Sequence, residues 1–167
     1  VNGSGFSDVS VGAWVYTTGQ AGEGRAYFYR GSASGLATSP AWTAEGDQVG
    51  ARFGLSVGPA GDVNGDGYSD VAVGAPFYDN GESDEGRASI YLGSSGGLSA
   101  VPAWTTESNQ LGAQYSFPVA TAGDVNGDGY GGNDLIYIPA NAADVAAMIG
   151  TAMRVMSTTN SPVPPRA

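Results

Sequence analysis

Asp62-Val-Asn-Gly-Asp-Gly-Tyr-Ser-Asp70 is the stretch of this sequence that decides the fold. It places oxygen-bearing side chains at loop positions 1, 3, 5 and 9, and a backbone carbonyl at position 7. Hard cations such as Ca²⁺ take about six to eight oxygen ligands, which converge only where the backbone coils tightly. Gly65 and Gly67 permit that coiling because they adopt positive φ without a Cβ clash. The spacing predicts a calcium site whose ligands are Asp62, Asn64, Asp66, the Tyr68 carbonyl and Asp70.

The flanks of this loop distinguish it from an EF-hand, although its first nine positions resemble one. The neighbouring segments are rich in β-forming residues, and position 12 is Ala72 instead of a bidentate glutamate. We therefore expect the loop to join two strands. An Asx-rich turn held by hydrogen bonds, without metal, is the alternative interpretation.

The loop belongs to a repeat with a constant offset of 62 residues. Val1–Asp8 returns as Val63–Asp70, and Gly24–Tyr29 returns as Gly86–Tyr91. The remaining matches at this offset are Pro40–Thr43 with Pro102–Thr105, Gly50–Phe53 with Gly112–Tyr115, and Asp62–Gly65 with Asp124–Gly127. Because no insertion interrupts these segments, the sequence predicts a tandem array of one structural unit.

Each period contains four short β-forming runs, bounded by Gly, Asp, Asn or Ser clusters that favour turns. In the best-formed unit they are Phe53–Val57, Asp70–Val73, Ala88–Leu92 and Ala103–Thr106. Four short strands in about 60 residues are typical of a propeller blade, whose faces neighbouring blades must cover. We therefore predict an all-β fold of β-propeller-type blades with four short antiparallel strands each. Two blades are nearly complete and a third is partial, with about three, four and two strands, too few to close a ring.

Two further copies of the loop depart from the complete one. The first offers Asn2, Ser4, the Phe6 carbonyl and Asp8 as ligands, and it lacks a residue at position 1. The third offers Asp124, Asn126, Asp128 and the Tyr130 carbonyl, and two extra residues move its closing carboxylate to Asp134. All of these are candidate Ca²⁺ ligands, and whether the first and third loops bind metal stays open.

Composition excludes several classes of function. The formal net charge is −10, and all six basic residues are arginine, so a nucleic acid partner is disfavoured. The absence of His and Cys removes a Ser-His-Asp triad, a thiol nucleophile and an ordinary zinc site. No run approaches the 18 or so apolar residues of a membrane-spanning helix.

An enzyme of the glycosidase type would need a pair of carboxylates. The acidic residues outside the loops that could supply one are Glu23, Glu45, Asp47, Glu82, Asp84, Glu85 and Glu107. They lie in turns at repeat positions, and we interpret them as solvated turn charges. We accordingly predict that the chain has no catalytic activity.

Phe53-Gly54, then the loop that ends at Asp70, then Gly74-Ala75-Pro76 together resemble the FG-GAP repeat. The resemblance covers about residues 1–139, and the family includes the integrin α-subunit propeller and many bacterial secreted proteins. It implies a β-propeller blade with Ca²⁺ held in the loop between its first two strands. The ligands implied are the same five residues from Asp62 to Asp70.

The other two units depart from the family pattern. The first has Gly12-Ala13-Trp14 where Gly-Ala-Pro is expected. The third has Tyr115-Ser116 for Phe-Gly and Ile138-Pro139 for the closing motif. Only the middle unit is complete, and nothing in the sequence matches an integrin-specific ligand site.

The resemblance implies a non-catalytic, extracellular or cell-surface, calcium-binding module for adhesion, ligand binding or assembly. Its partners would be a protein or carbohydrate ligand, or further copies of itself that complete the propeller. Two alternatives remain: a self-assembling structural or filament subunit, and an accessory propeller fragment of a secreted hydrolase. Because the chain starts inside a motif at Val1, we expect a homo-oligomer or a fragment of a larger protein.

Residues 140–167 form a second predicted segment after the blades of residues 1–139. Apolar residues at helical spacing predict a short amphipathic helix over about 142–156, capped by Asn141 and followed by a Ser/Pro-rich tail. The helix would pack on the last sheet or bind a partner. Residues 129–139 are also similar to segments of outer-membrane TonB-dependent receptors, so a junction of two unrelated sequences stays open.

Overall fold

The computed structural model describes residues 1–123 and 134–137, which form eleven β-strands and no helix. The strands are β1 (Val9–Ala13), β2 (Arg25–Tyr29), β3 (Gly31–Ser32), β4 (Gly35–Leu36), β5 (Trp42–Glu45), β6 (Ser56–Gly61), β7 (Asp70–Ala75), β8 (Arg87–Tyr91), β9 (Trp104–Glu107), β10 (Val119–Gly123) and β11 (Asp134–Tyr137). Within these residues, no helix exists that could cross a membrane. The predicted helix over about 142–156 lies outside the described residues.

The strands assemble into three successive antiparallel units. The first blade is the sheet β1-β2-β5, and a small β3–β4 hairpin lies between its last two strands. The second blade is the complete four-stranded sheet β6-β7-β8-β9. The third unit is the pair β10-β11. The all-β class and the predicted series of three, four and two strands are therefore confirmed for the described residues.

The 62-residue period is visible in the register of the strands. Val9 pairs with Tyr29 in the first blade, and Val71 pairs with Tyr91 in the second. The register of β6 with β7 shifts between Pro59 and Gly61, and that of β10 with β11 shifts at the same place one period later. Equivalent sequence therefore produces equivalent backbone, including its irregularities.

One predicted strand is wrong in its position. Alternation of apolar and small residues predicts a strand from Phe53, but β6 begins at Ser56. Arg52 has φ 55° and Gly54 has φ 82°, which is left-handed backbone. The N–H of Leu55 donates to the carbonyl of Arg52 at 3.0 Å, which closes a turn. The Phe53-Gly54 pair is thus the turn that leads into the blade.

Hydrophobic contacts join each blade to the next, because side chains alternate between the two faces of a strand. Val71 and Val73 of β7 point to the first blade and pack in one core, while Ala72 points to the third unit and packs in another. The first core also contains Ala26, Ala51, Phe53, Ala75 and Tyr91, and the second contains Ala60, Ala88, Ile90, Tyr115 and Val119. The middle blade is covered on both faces.

Hydrogen bonds also join neighbouring blades at the same two boundaries. Trp42 donates its indole N–H to the carbonyl of Ser99 at 2.8 Å, from the first blade to the second. The backbone N–H of Val119 donates to the Ser56 hydroxyl at 2.8 Å, from the third unit to the second. The aspartate loops therefore sit on a scaffold whose neighbouring blades are fixed to each other.

Candidate metal loops

The loop of residues 62–70 joins β6 to β7, the first two strands of the complete blade. β6 ends at Gly61 and β7 begins at Asp70, which pair with each other and bring the two ends of the loop together. Gly65 has φ 73° and Gly67 has φ 91°, as predicted. The loop thus coils back on itself at one end of the sheet.

The first three side chains of this loop turn toward its own backbone. The carboxylate of Asp62 accepts the N–H groups of Asp66 (3.0 Å) and Gly67 (2.7 Å). The amide oxygen of Asn64 accepts the N–H of Asp66 at 3.2 Å, and its NH₂ group donates to the Asp66 carboxylate at 2.9 Å. Asp66 in turn accepts the N–H of Tyr68 at 2.9 Å. The polar side chains are therefore gathered on the inside of the coil.

Asp70 has a role that the sequence did not indicate. It is 1% exposed, and its two carboxylate oxygens accept the N–H groups of Val63 and Gly93, each at 2.7 Å. It therefore ties the start of the loop to the connection after β8. Burial raises the pKa of Asp70; the two amide bonds oppose this, and the charges of Asp62 and Asp66 add to it.

The first loop repeats this arrangement with weaker groups. The N–H of Ser4 donates to the Asn2 amide oxygen at 3.2 Å, and the N–H of Phe6 donates to the Ser4 hydroxyl at 3.4 Å. Asp8 accepts the N–H of Gly31 at 2.9 Å, and its other oxygen lies 3.6 Å from the amino group of Val1. The backbone thus coils as in the complete loop, but a hydroxyl stands where Asp66 supplies a carboxylate.

Most of the third loop lies outside the described residues, including Asp124, Asn126, Asp128 and Tyr130. Asp134 is described as the first residue of β11, and it pairs with Gly123. Asp70 holds the same place in β7, where it pairs with Gly61. The predicted shift of the closing aspartate to Asp134 therefore agrees with the pairing of the strands.

The residues of the complete loop fit a hard cation. Asp62, Asn64, Asp66, Asp70 and the Tyr68 carbonyl offer five oxygen-bearing groups within nine residues, three of them carboxylates. Mixed carboxylate, amide and carbonyl oxygens are the ligand set of Ca²⁺. Asn64 and Asp66 are exposed, so solvent ions reach the loop. Such carboxylates repel one another, and a bound cation relieves that repulsion.

The interpretation of the other acidic residues as solvated turn charges is wrong for two of them. Glu23 and Glu85 are each 0% exposed. One oxygen of Glu23 accepts the N–H groups of Thr18 (2.8 Å) and Gly19 (3.0 Å), and one oxygen of Glu85 accepts the N–H of Asn80. The signal that could have revealed them is their recurrence at the repeat offset, each two residues before an arginine.

Comparison with known proteins supports the resemblance. The FG-GAP repeat family matches residues 53–91, which include β6, the aspartate loop, β7 and β8. Integrin alpha-IIb of Mus musculus is 37% identical over 153 residues, which cover 87% of this chain and 14% of that protein. Integrin alpha-PS2 of Drosophila melanogaster is 38% identical over 144 residues, covering 77% of this chain and 10% of that protein. Integrin alpha-8 of Gallus gallus is 34% identical over 141 residues, which cover 78% of this chain and 13% of that protein.

Proposed function

We propose that this chain, which contains an FG-GAP repeat and is similar to integrin alpha subunits over most of its length, is a non-catalytic, calcium-binding propeller module for adhesion or ligand binding outside the cell. The chain spans 14% or less of the length of the relatives named above. We therefore extend the function of those whole proteins to this chain only as a proposal. None of those relatives is named as an enzyme, which supports a non-catalytic role.

One observation carries the calcium part of the proposal. The loop from Asp62 to Asp70 lies inside the residues that match the FG-GAP repeat, between the first two strands of a complete blade. Its three carboxylates, its amide and its carbonyl suit the preference of Ca²⁺ for mixed oxygen ligands. The proposed ligands are Asp62, Asn64, Asp66, the Tyr68 carbonyl and a free lone pair of Asp70. The first and third loops are proposed as weaker sites.

Bound calcium would act on the stability of the blade. Asp62 and Asp66 repel Asp70, whose burial already disfavours its charge. A cation among them lowers the free energy of the folded state, and an unfolded chain offers no preformed site, so binding is coupled to folding. The linkage contributes about 2.7 kcal/mol when free Ca²⁺ is at 100 times its dissociation constant.

Calorimetric melting of the full chain tests this role. We expect Tm to rise with added Ca²⁺ and to fall in excess chelator. Asp62→Asn combined with Asp66→Asn should remove most of that dependence, because it removes two of the three carboxylates. Glu82→Gln is the matched control, since Glu82 is an exposed acidic residue outside the loops. A wild-type melt that is the same in Ca²⁺ and in chelator would refute the calcium role.

The proposed partner is a protein ligand. Similarity to integrin alpha subunits supports an adhesion role, and the net charge of −10 favours a partner with a basic surface. Two binding assays separate a protein ligand from a carbohydrate. The full chain is applied to a panel of extracellular matrix proteins and to a glycan array, each in Ca²⁺ and in chelator. Calcium-dependent binding to a protein supports the proposal. Binding only to glycans, or to nothing on either panel, counts against it.

A further inference from the structure

Three carboxylates meet at the end of the first blade, away from the aspartate loops. Glu23 lies two residues before β2 starts, Glu45 is the last residue of β5, and Asp47 follows in the turn with φ 52°. Arg25 of β2 pairs in register with Glu45, which brings the three segments together. One carboxylate oxygen of each residue lies within 4.8 Å of the others. We call Glu23, Glu45 and Asp47 the acidic triad.

Glu23 is the buried member of the triad. One of its oxygens accepts two backbone N–H groups, from Thr18 and Gly19. The other, Oε2, is shielded from solvent and has no hydrogen-bond partner in the part of the chain that the structure describes. Burial opposes ionisation, but the amides of Thr18, Gly19 and Gln20 and the charge of Arg25 lower the pKa of Glu23. A buried anionic oxygen without a partner is costly and favours a bound cation.

Arg25 neutralises only part of the triad. Its guanidinium pairs with Glu45 and lies over the ring of Tyr16, with 4.1 Å to the centroid. Three carboxylates and one guanidinium leave a local formal charge of −2. That charge equals the one a divalent cation would neutralise, and carboxylate oxygens are ligands that such hard cations prefer.

The second blade contains the same positions with one decisive difference. Glu85 and Glu107 are the counterparts of Glu23 and Glu45, but Asn109 stands in place of Asp47. Glu107 is engaged by both the Arg87 guanidinium (2.6 Å) and the Asn80 side chain (2.7 Å). Glu85 Oε2 is buried and has no hydrogen-bond partner in the described residues, as is the case for Glu23, so the third carboxylate is what distinguishes the first blade. The second blade has two carboxylates and a local charge of −1, and it provides an internal comparison for the first.

Two members of the triad are reachable from solvent. Glu45 and Asp47 line a surface cavity of about 370 Å³ between the first two blades, together with Tyr91 and the segment of residues 100–102. Burial, and after it the charge of Asp47, raises the pKa of Tyr91 to about 12. Asp47 thus presents its charge to the cavity, which attracts cations to this end of the first blade.

We propose that Glu23, Glu45 and Asp47 form a second type of divalent-cation site, with Ca²⁺ as the ion. β2 begins and β5 ends beside the triad, whereas the aspartate loops precede β1 and β7, so the two types of site lie at opposite ends of the blades. An ion held there fixes the turn after β5 to the connection before β2.

Calcium titration by calorimetry, with the full chain, tests the site separately from the loops. In a background where Asn2 and Ser4 are changed to alanine, and Asp62, Asp66, Asp124 and Asp128 to asparagine, all three loops are silenced and we expect one Ca²⁺ to remain. Adding Asp47→Asn to that background should weaken the remaining binding at least tenfold. This substitution tests the ligand without threatening the fold, because Asp47 is exposed and asparagine accepts positive φ as readily as aspartate.

Asn109→Asp is the reciprocal variant, which builds the third carboxylate into the second blade at a residue that also has positive φ (56°). It should add one Ca²⁺ to the stoichiometry.

Tb³⁺ luminescence, sensitised by the nearby Tyr91, gives a second readout that Asp47→Asn should abolish. A loop-silenced chain that binds no ion, or that binds one with unchanged affinity after Asp47→Asn, overturns the proposal. Neither result would touch the loop sites, which the melting experiment tests.

Discussion

At the scale of single residues, glycines set how closely the blades approach. A Cβ built on Gly12 would lie closer than 3.0 Å to the carbonyl oxygen of Gly54, and one on Gly74 would lie as close to the carbonyl oxygen of Ser116. The obstacle is backbone in both cases, so it cannot rotate away. These glycines belong to the Gly-Ala-Pro part of the repeat and its counterpart in the first blade, which explains why the motif requires a residue without a side chain.

Gly74→Ala should destabilise the protein by about 1–3 kcal/mol, the usual cost of overpacking. Urea unfolding measures this loss of stability as a shift of the transition midpoint at constant m-value. Gly96→Ala is the matched control, because its Cβ would meet only the Ser94 hydroxyl at 3.6 Å and its φ is not positive. We expect the control to stay within about 0.5 kcal/mol of wild type. Equal midpoints for the two variants would contradict the close approach.

Tyr91 should make stability fall as pH rises from about 10 to about 12. Its pKa is raised from 10.0 to about 12, chiefly by burial, so the folded protein keeps a proton that the unfolded chain loses in this interval. Folding then binds a proton, and alkali opposes it. Tyr91→Phe should flatten the decline in the free energy of unfolding over this range. The same decline in both proteins would show that Tyr91 is not the group responsible.

At the scale of elements, the closing aspartates join connections that lie far apart in sequence. Asp8 reaches Gly31, and Asp70 reaches Gly93, across equivalent parts of two blades. In the first blade the carboxylate links the loop before β1 to the segment after β2, and in the second it links the loop before β7 to the connection after β8. The order of the loop therefore depends on the sheet as well as on any bound ion.

Asp70→Asn should lower stability by about 1–3 kcal/mol even in chelator, because an NH₂ group would replace one acceptor and face a buried backbone N–H. Urea unfolding in excess chelator isolates this effect from metal binding. Asp66→Asn serves as the comparison within the same loop, since Asp66 is exposed, and it should cost much less in chelator. If both variants lose equal stability there, the amide bonds of Asp70 are not the cause.

The repeat offset and the aspartate loop were predictable because both depend on local sequence. The number of strands in each blade, their antiparallel pairing and the positive φ of Gly65 and Gly67 all follow from it. The start of β6 at Ser56 was not predictable. The alternation Phe53-Gly-Leu is typical of a strand, and the positive φ of Arg52 that interrupts it is not visible in the sequence. Burial of Glu23 was also missed, because it depends on a neighbouring blade and on amides that only the folded turn aligns. The predictions made for residues 124–133 and 138–167 stay predictions, because these residues lie outside the described part of the chain.

At the scale of the whole molecule, the first blade exposes the face that the second blade hides. Val9 and Val11 of β1 are 41% and 44% exposed, whereas their counterparts Val71 and Val73 are 4% and 0% exposed. The counterparts are covered by the preceding blade. The face of β1 is thus shaped for another sheet, and apolar patches of this kind promote association.

The chain should therefore self-associate as its concentration rises, with an apparent mass above that of a monomer in sedimentation equilibrium. Val9→Thr combined with Val11→Thr should weaken that association, because it makes the exposed face polar. Val49→Thr is the control, since Val49 is 65% exposed but lies in a turn away from β1. A chain that remains monomeric at every concentration, or an equal effect of the control, would argue against this contact.

The recurrence of the blade contact has a consequence for the evolution of the array. Gly12 meets Gly54 as Gly74 meets Ser116, so one interface joins each unit to the next. Duplication of any gene segment one period long would preserve the reading frame and supply a unit that its neighbours already accept. Unequal recombination can therefore lengthen or shorten such an array in a single event, without a compensating substitution elsewhere.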